Sequence, residues 1–180
     1  RAGLTALDPY VQRFQYHEAR PGAFESGRDL LLRPAEVWAA TERGVVVLGR
    51  DGTWRTADRL TGLPSDNALA LAASSSGVWV GTDLGLARIG AGDSVLALPE
   101  RLAVLSLLVV RDTLWIGTTR GLMLRPETGE DLLVPRETEP ALRHPIVALA
   151  ALGDTLVAAT GDKLIVRAPG TPWTLLPVVS

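Results

Sequence analysis

Residues 76–89 read SGVWVGTDLGLARI, and residues 112–125 read DTLWIGTTRGLMLR. Two further stretches align with them without gaps: AEVWAATERGVVVL at 35–48 and DTLVAATGDKLIVR at 154–167. Trp38, Trp79 and Trp115 share one column with Val157, at intervals of 41, 36 and 42 residues. A part made repeatedly, about every 40 residues, is one supersecondary unit that buries its apolar face only by stacking on its neighbours.

Each column of the repeat has a physical reading. Apolar and small residues alternate before a turn, and a run such as Leu86-Ala87-Arg88-Ile89 or Leu122-Met123-Leu124-Arg125 follows it, which describes two strands tightly joined. Thr41, Thr82 and Thr118 stand three residues before Gly44, Gly85 and Gly121, where a short hairpin loop favours positive φ. In the fourth copy Lys163 takes the glycine column, and Gly161-Asp162 supplies a different turn. Two positions after the Trp column lie Ala40, Gly81, Gly117 and Ala159, all small, as expected where an adjacent sheet passes close. The tryptophans are read as filling between sheets.

The flanks repeat too. Apolar runs precede each hairpin at Leu30 to Leu32, Ala68 to Ala73, Val104 to Val110 and Ile146 to Leu152, and their near-continuous hydrophobicity suits strands covered on both faces. A fourth strand is expected around Thr53 to Thr56, Val95 to Leu98, Leu132 to Pro135 and Trp173 to Leu176. Four antiparallel strands per repeat, the innermost the most apolar, make the blade of a β-propeller. The expected fold is therefore all-β, with four blades at about 28–60, 66–99, 102–136 and 144–179.

The hairpins with Trp-x-Gly-Thr-x-x-Gly-Leu at 79–86 and 115–122, preceded at 62–67 by Gly-Leu-Pro-Ser-Asp-Asn, resemble the two-component-regulator propeller repeat. The resemblance covers about residues 28–180 and is weaker in blades one and four, where Ala replaces the small-column Gly and blade four lacks the Trp. It implies a sensor-type propeller of bacterial hybrid histidine kinases or a related extracytoplasmic protein, placed in the periplasm or outside the cell. WD40 and kelch patterns fit less well, because neither a Trp-Asp end nor a Gly-Gly pair recurs.

The phase of the repeat adds an expectation. Residues 7–16, LDPYVQRFQY, stand before blade one as Thr53 to Thr56 stand before blade two. One extra N-terminal outer strand is thus expected over 7–16, beyond four complete blades. Open blade faces rich in Val, Leu and Trp would be exposed. One alternative adds the extra strand to an edge of blade four in a compact four-bladed ring. The favoured expectation is a ring larger than this sequence or completed by a partner, so the expected partners are a protein or additional blades. The sequence starts at Arg1 with no methionine, no signal-peptide pattern and no apolar run of membrane-spanning length, and is read as mature, processed or trimmed.

Composition narrows the chemistry. With 18 basic and 20 acidic residues and no basic run, nucleic acid is a poor partner. Cysteine is absent, which removes thiolate nucleophiles and common structural zinc sites, and no metal or cofactor is expected. The only imidazoles are His17 and His144, both beside loop residues, so no base with an orienting group stands out for catalysis. His144 aligns with Asp66, which leaves a propeller lyase as the least favoured reading.

What remains is a surface. In a four-stranded meander, the turn between the second and third strands and the connection between blades emerge on the same face. That face is expected to gather Glu42, Arg43, Asp66, Asn67, Asp83, Arg120, Arg143 and His144 as binding candidates. The resulting expectation is a non-catalytic interaction or scaffold module of a larger extracytoplasmic assembly. The alternative is a sensor domain whose loop face binds a small molecule or carbohydrate.

Overall fold

The computed structural model describes residues 3–8, 13–18, 26–98, 101–126 and 139–176. Four antiparallel sheets follow one another along the chain. Blade one is β3 (Gly27–Arg33), β4 (Glu36–Thr41), β5 (Gly44–Gly49) and β6 (Trp54–Ala57), in spatial order β3-β4-β5-β6; strands β1 and β2 precede it. Blade two is β7 (Ala68–Ser74), β8 (Gly77–Thr82), β9 (Gly85–Ile89) and β10 (Val95–Ala97). Blade three shows β11 (Val104–Val110), β12 (Thr113–Thr118) and β13 (Gly121–Pro126), and the fourth strand expected at 132–135 lies outside the described residues. Blade four is β14 (Ala148–Leu152), β15 (Thr155–Ala159), β16 (Leu164–Arg167) and β17 (Thr174–Leu175).

The N-terminal segment differs from the single strand expected over 7–16. It forms a two-stranded antiparallel sheet, β1 (Gly3–Asp8) with β2 (Arg13–Glu18), in register from Gly3 opposite Glu18 to Asp8 opposite Arg13. The signal was Asp8-Pro9: proline has no N–H to give a ladder, and the pair favours turn initiation.

Each pair of consecutive blades encloses one apolar cluster. Trp38, Val45 and Val47 of blade one pack with Leu71, Val80, Ala87 and Ile89 of blade two. Trp79 and Leu86 of blade two meet Val104, Leu114 and Ile116 of blade three. Trp115 and Leu122 of blade three meet Leu156, Ala158 and Ile165 of blade four, with Trp173 edge-on to Trp115 at 6.0 Å and 73°. All three column tryptophans are buried, and truncating any of them to alanine should cost about 3–5 kcal/mol.

The small column is the clearance these contacts need. A Cβ on Gly81 would lie 2.5 Å from Val104 Cγ1, and one on Gly117 would lie 2.5 Å from the Ile146 carbonyl oxygen. Gly44 and Gly121 adopt φ of 100° and 116°, as the hairpin turns require.

Electrostatic contacts add to this packing at one end of the blades. Arg55 bridges Glu36 of its own blade to Asp93 beside blade two, and Arg111 of blade three pairs with Asp154 of blade four. Trp79 lies between Arg88 and Arg125, at 5.6 and 5.5 Å from ring centroid to guanidinium. The paired ions are half-exposed or exposed, so each bridge contributes about 0–1 kcal/mol and the apolar clusters dominate. In the β5–β6 turn the Thr53 hydroxyl and amide donate to Asp51 and hold its carboxyl below the ordinary 3.8.

One expectation about coverage is corrected. The inner strands of blades two and three are largely covered, but β3 and β14 are mostly exposed. A strand is covered on both faces only when its blade has a neighbour on each side. Among the described residues, no blade precedes blade one and none follows blade four.

Gly117→Ala should destabilise the fold by about 1–3 kcal/mol in urea denaturation, because its Cβ would collide with both the Ser106 hydroxyl and the Ile146 backbone carbonyl. Gly161→Ala, with nothing within 4 Å of its Cβ position, should change stability little. For Asp51, a folded-state pKa below the unfolded one means its contribution is present above pH 3.8 and is lost as pH falls through the folded value. Carbon-detected NMR titration should show the Asp51 transition move up in Thr53→Ala.

Candidate functional site

The loop face is built by one side chain repeated three times. The buried Thr41, Thr82 and Thr118 hydroxyls donate to the carbonyls of Gly44, Gly85 and Gly121 at 2.9, 2.9 and 2.8 Å. The same oxygens accept the N–H of Arg43, Leu84 and Arg120 at 3.0, 3.3 and 3.0 Å. Each threonine therefore staples its turn from inside; of the residues between Thr and Gly, Arg43, Leu84, Thr119 and Arg120 are exposed, while Glu42 and Asp83 are half-buried. Thr160 does the same work differently, accepting from Lys163 N at 3.0 Å and donating to Asp162 Oδ1 at 3.0 Å.

The connections between blades are tied to those turns. Gly44 N–H donates to Asp66 O at 2.5 Å, and Asp83 N–H donates to Asn67 O at 3.2 Å. Asp66 Oδ1 accepts from Arg59 N at 2.8 Å, and Asn67 Nδ2 donates to Asp83 Oδ2 at 3.2 Å. The Asn67 Oδ1 and Asp83 Oδ1 atoms are buried without a hydrogen-bond partner. Between blades three and four, Ile146 N donates to Thr118 O at 3.1 Å, while the space a Gly121 Cβ would occupy lies 3.0 Å from Arg143 Cα.

The eight sequence candidates fall into two groups. Glu42, Arg43 and Asp66 line one opening of about 640 Å³, and Asn67, next to Asp66 in the chain, is bonded to Asp83. Arg120, Arg143 and His144 gather at the junction of blades three and four, where all three are exposed. His144 donates its backbone N–H to Ala141 O at 3.2 Å, and its imidazole makes no hydrogen bond among the described residues. No group of three His, Cys, Asp or Glu side chains could hold a metal ion among the described residues.

Sequence reading missed three residues of the opening: Asp58, Arg59 and Leu60. Asp58 caps a short 3-10 turn, Arg59–Thr61, accepting from Leu60 N and Thr61 N, while Thr61 Oγ1 accepts from Asp58 N. The signal was legible as an Asp-x-x-Thr capping pattern. The cap leaves Leu60 96% exposed at the rim of the opening.

With four twisted antiparallel sheets packed face to face and inner strands converging, the architecture is decided. The chain is built as a β-propeller. No protein-family model and no curated protein sequence matches it. Among solved structures, it is similar to the extracellular domain of a hybrid two component system, BT4673, from B. thetaiotaomicron, at TM-score 0.76 and 24% identity, over 99% of this chain and 25% of that one. It is also similar to streptogramin B lyase, at TM-score 0.67 and 16% identity, over 98% of this chain and 62% of that one. Virginiamycin B lyase from Staphylococcus aureus aligns at TM-score 0.71 and 15% identity, over 98% of this chain and 63% of that one. The propeller thus spans a quarter of the first neighbour and under two thirds of the lyases, and at these identities the likeness is one of fold. Among the described residues no helix is long and apolar enough to cross a membrane.

Asp58→Ala should cost about 1 kcal/mol, the usual value of a lost cap, in thermal or urea unfolding. Hydrogen exchange should rise at Leu60 and Thr61, whose amides the carboxylate accepts, and stay unchanged in the Thr118 turn.

Proposed function

We propose that this propeller is a non-catalytic interaction and scaffold module, working outside the cytoplasm, whose open blade-four face is completed by a protein partner or by additional blades. The observation that carries the reading is a set of columns buried at three interfaces and open at the fourth. Val45, Leu86 and Leu122 occupy one column, and each is at most 2% exposed against the following blade. Leu164, in the same column, is 47% exposed, and Leu152, which corresponds to Val110 against blade four, is 85% exposed. On the other side of the arc, Leu71, Leu107 and Leu149 pack toward the preceding blade, whereas their counterpart Leu30 is 58% exposed. Apolar columns continued to the end of the arc suit burial against something.

The sensor reading is the second, favoured by the loop-face opening and by likeness to an extracellular domain of a two component system. In it the Glu42, Arg43 and Asp66 opening takes a small molecule or carbohydrate, with Asp58, Arg59 and Leu60 at its rim. A lyase reading has support from two neighbours' names and from His144 alone, and the site geometry favours binding.

Light scattering of residues 1–180 after size exclusion tests the scaffold reading. Self-association or co-purification with another chain is expected, and Leu152→Glu with Leu164→Glu should abolish it while changing folding stability by no more than about 0.5 kcal/mol. Leu122→Glu, in the same column but buried, should cost about 3 kcal/mol or more. A stable, monodisperse monomer of the parent chain would overturn the reading.

A further inference from the structure

All four inner strands converge on one cleft of about 310 Å³, lined by Arg28 and Asp29 of β3, 69–71 of β7, 105–107 of β11 and 147–149 around the start of β14. Each of these strands pairs on one side only, with β4, β8, β12 and β15, so its other edge faces the cleft with main-chain groups outside any ladder.

The cleft's edge is also irregular at the same place in three blades. The register slips between Gly27 and Asp29, between Ala68 and Ala70, and between Val104 and Ser106. Arg28, Leu69 and Leu105 are therefore bulge residues with no cross-strand partner, and all three line the cleft. Bulges re-aim side chains and cluster beside functional sites. Two of them recur on the apolar strands β7 and β11, the third on β3, which also carries Asp29 and Arg33.

The residues after the bulges are already committed. Asp29 Oδ1 accepts from Leu30 N at 2.8 Å, and Asp29 Oδ2 accepts from Leu71 N at 2.8 Å, which ties β3 to β7. Ser106 Oγ donates to Ile146 O at 3.2 Å, which ties β11 to the segment leading into β14. Arg28 is the contrast. It is exposed, it has no hydrogen bond or ion pair among the described residues, and it is the one cationic side chain lining the cleft.

We propose that the central cleft is a binding site for a small carboxylate, with Arg28 as the residue that recognises it. A guanidinium presents its donors in a planar fork that matches a carboxylate's two oxygens. Around it run strand edges outside any ladder, where the Leu30 and Leu71 N–H groups are already given to Asp29. Asp29 makes no ion pair with Arg28, and its two oxygens accept from the Leu30 and Leu71 amides, while its charge keeps the affinity for an anion modest. The site is independent of the blade-four face, since none of its lining residues belongs to the Leu152 and Leu164 columns.

The test is an amide and arginine NMR titration of the 180-residue chain with sodium propionate, and with sodium phosphate and tetramethylammonium chloride as comparisons. Saturable shifts are expected at residues 28–30, 69–71, 105–107 and 147–149 with propionate. Arg28→Gln should raise the apparent Kd at least about tenfold, as loss of a charge-assisted pair does, and Arg28→Lys should raise it less. Ala148→Arg, which adds a second cation from an exposed cleft position, should lower it. Arg28 holds no other group among the described residues, so its variants should keep the parent's dispersion. Arg28→Gln titrating like the parent, tetramethylammonium moving the same amides, phosphate saturating where propionate does not, or shifts confined to 42–43 and 66–67 would each overturn the assignment.

Discussion

The distance at which one sheet can approach the next governs this molecule. A tryptophan on the second strand of a blade needs space between sheets, and a residue two places along must be small enough for the next inner strand to pass. At Gly117 that passage is so tight that a Cβ would stand 2.5 Å from the Ile146 carbonyl. The arginine bridges between blades lie at the exposed end of these contacts and are worth far less than a buried tryptophan. The order of blades, the arc they trace and the convergence of their inner strands all rest on that close fit.

Rigid packing on the sheet faces has consequences at both ends of the strands. At the loop end, the threonine hydroxyls occupy the turn interior, so the variable residues between Thr and Gly are held on a fixed frame, with Arg43, Leu84, Thr119 and Arg120 exposed. Connections between blades are drawn against those turns by main-chain bonds such as Gly44 to Asp66. Along the axis, the inner strands keep one edge unpaired, and the bulges place Arg28, Leu69 and Leu105 there. Variation is thus confined to two places, the loop face and the axis, while the sheet faces stay apolar through to Leu164 at the end of the arc.

Most of the fold was legible because the features that build it are local and repeated. A Trp, a small residue, a Thr and a turn Gly at fixed offsets specify a hairpin and its packing distance without knowledge of the neighbour. The loop-face candidates were legible as positions, since any meander sends those turns to one side. Their grouping was not, because it depends on bonds between segments far apart in sequence, such as Asn67 to Asp83. Asp58, Arg59 and Leu60 were missed although the capping pattern was there, because a cap in a connection carries no repeat signal. Trp173 was placed in an outer strand, yet its contact with Trp115 needed blade four folded against blade three.

By itself, the sequence determined the all-β class, the blade unit and its spacing, the turn glycines and the tryptophan filling, since these follow from side-chain size and from a period each copy states alone. Only the tertiary structure decided that the N-terminal segment makes a paired hairpin, that β3 and β14 lie open while β7 and β11 are covered, and that three bulges meet around Arg28. The physical reason is that burial and register belong to pairs of elements. A leucine column reads the same in every blade, and whether water reaches it depends on whether another sheet stands in front of it.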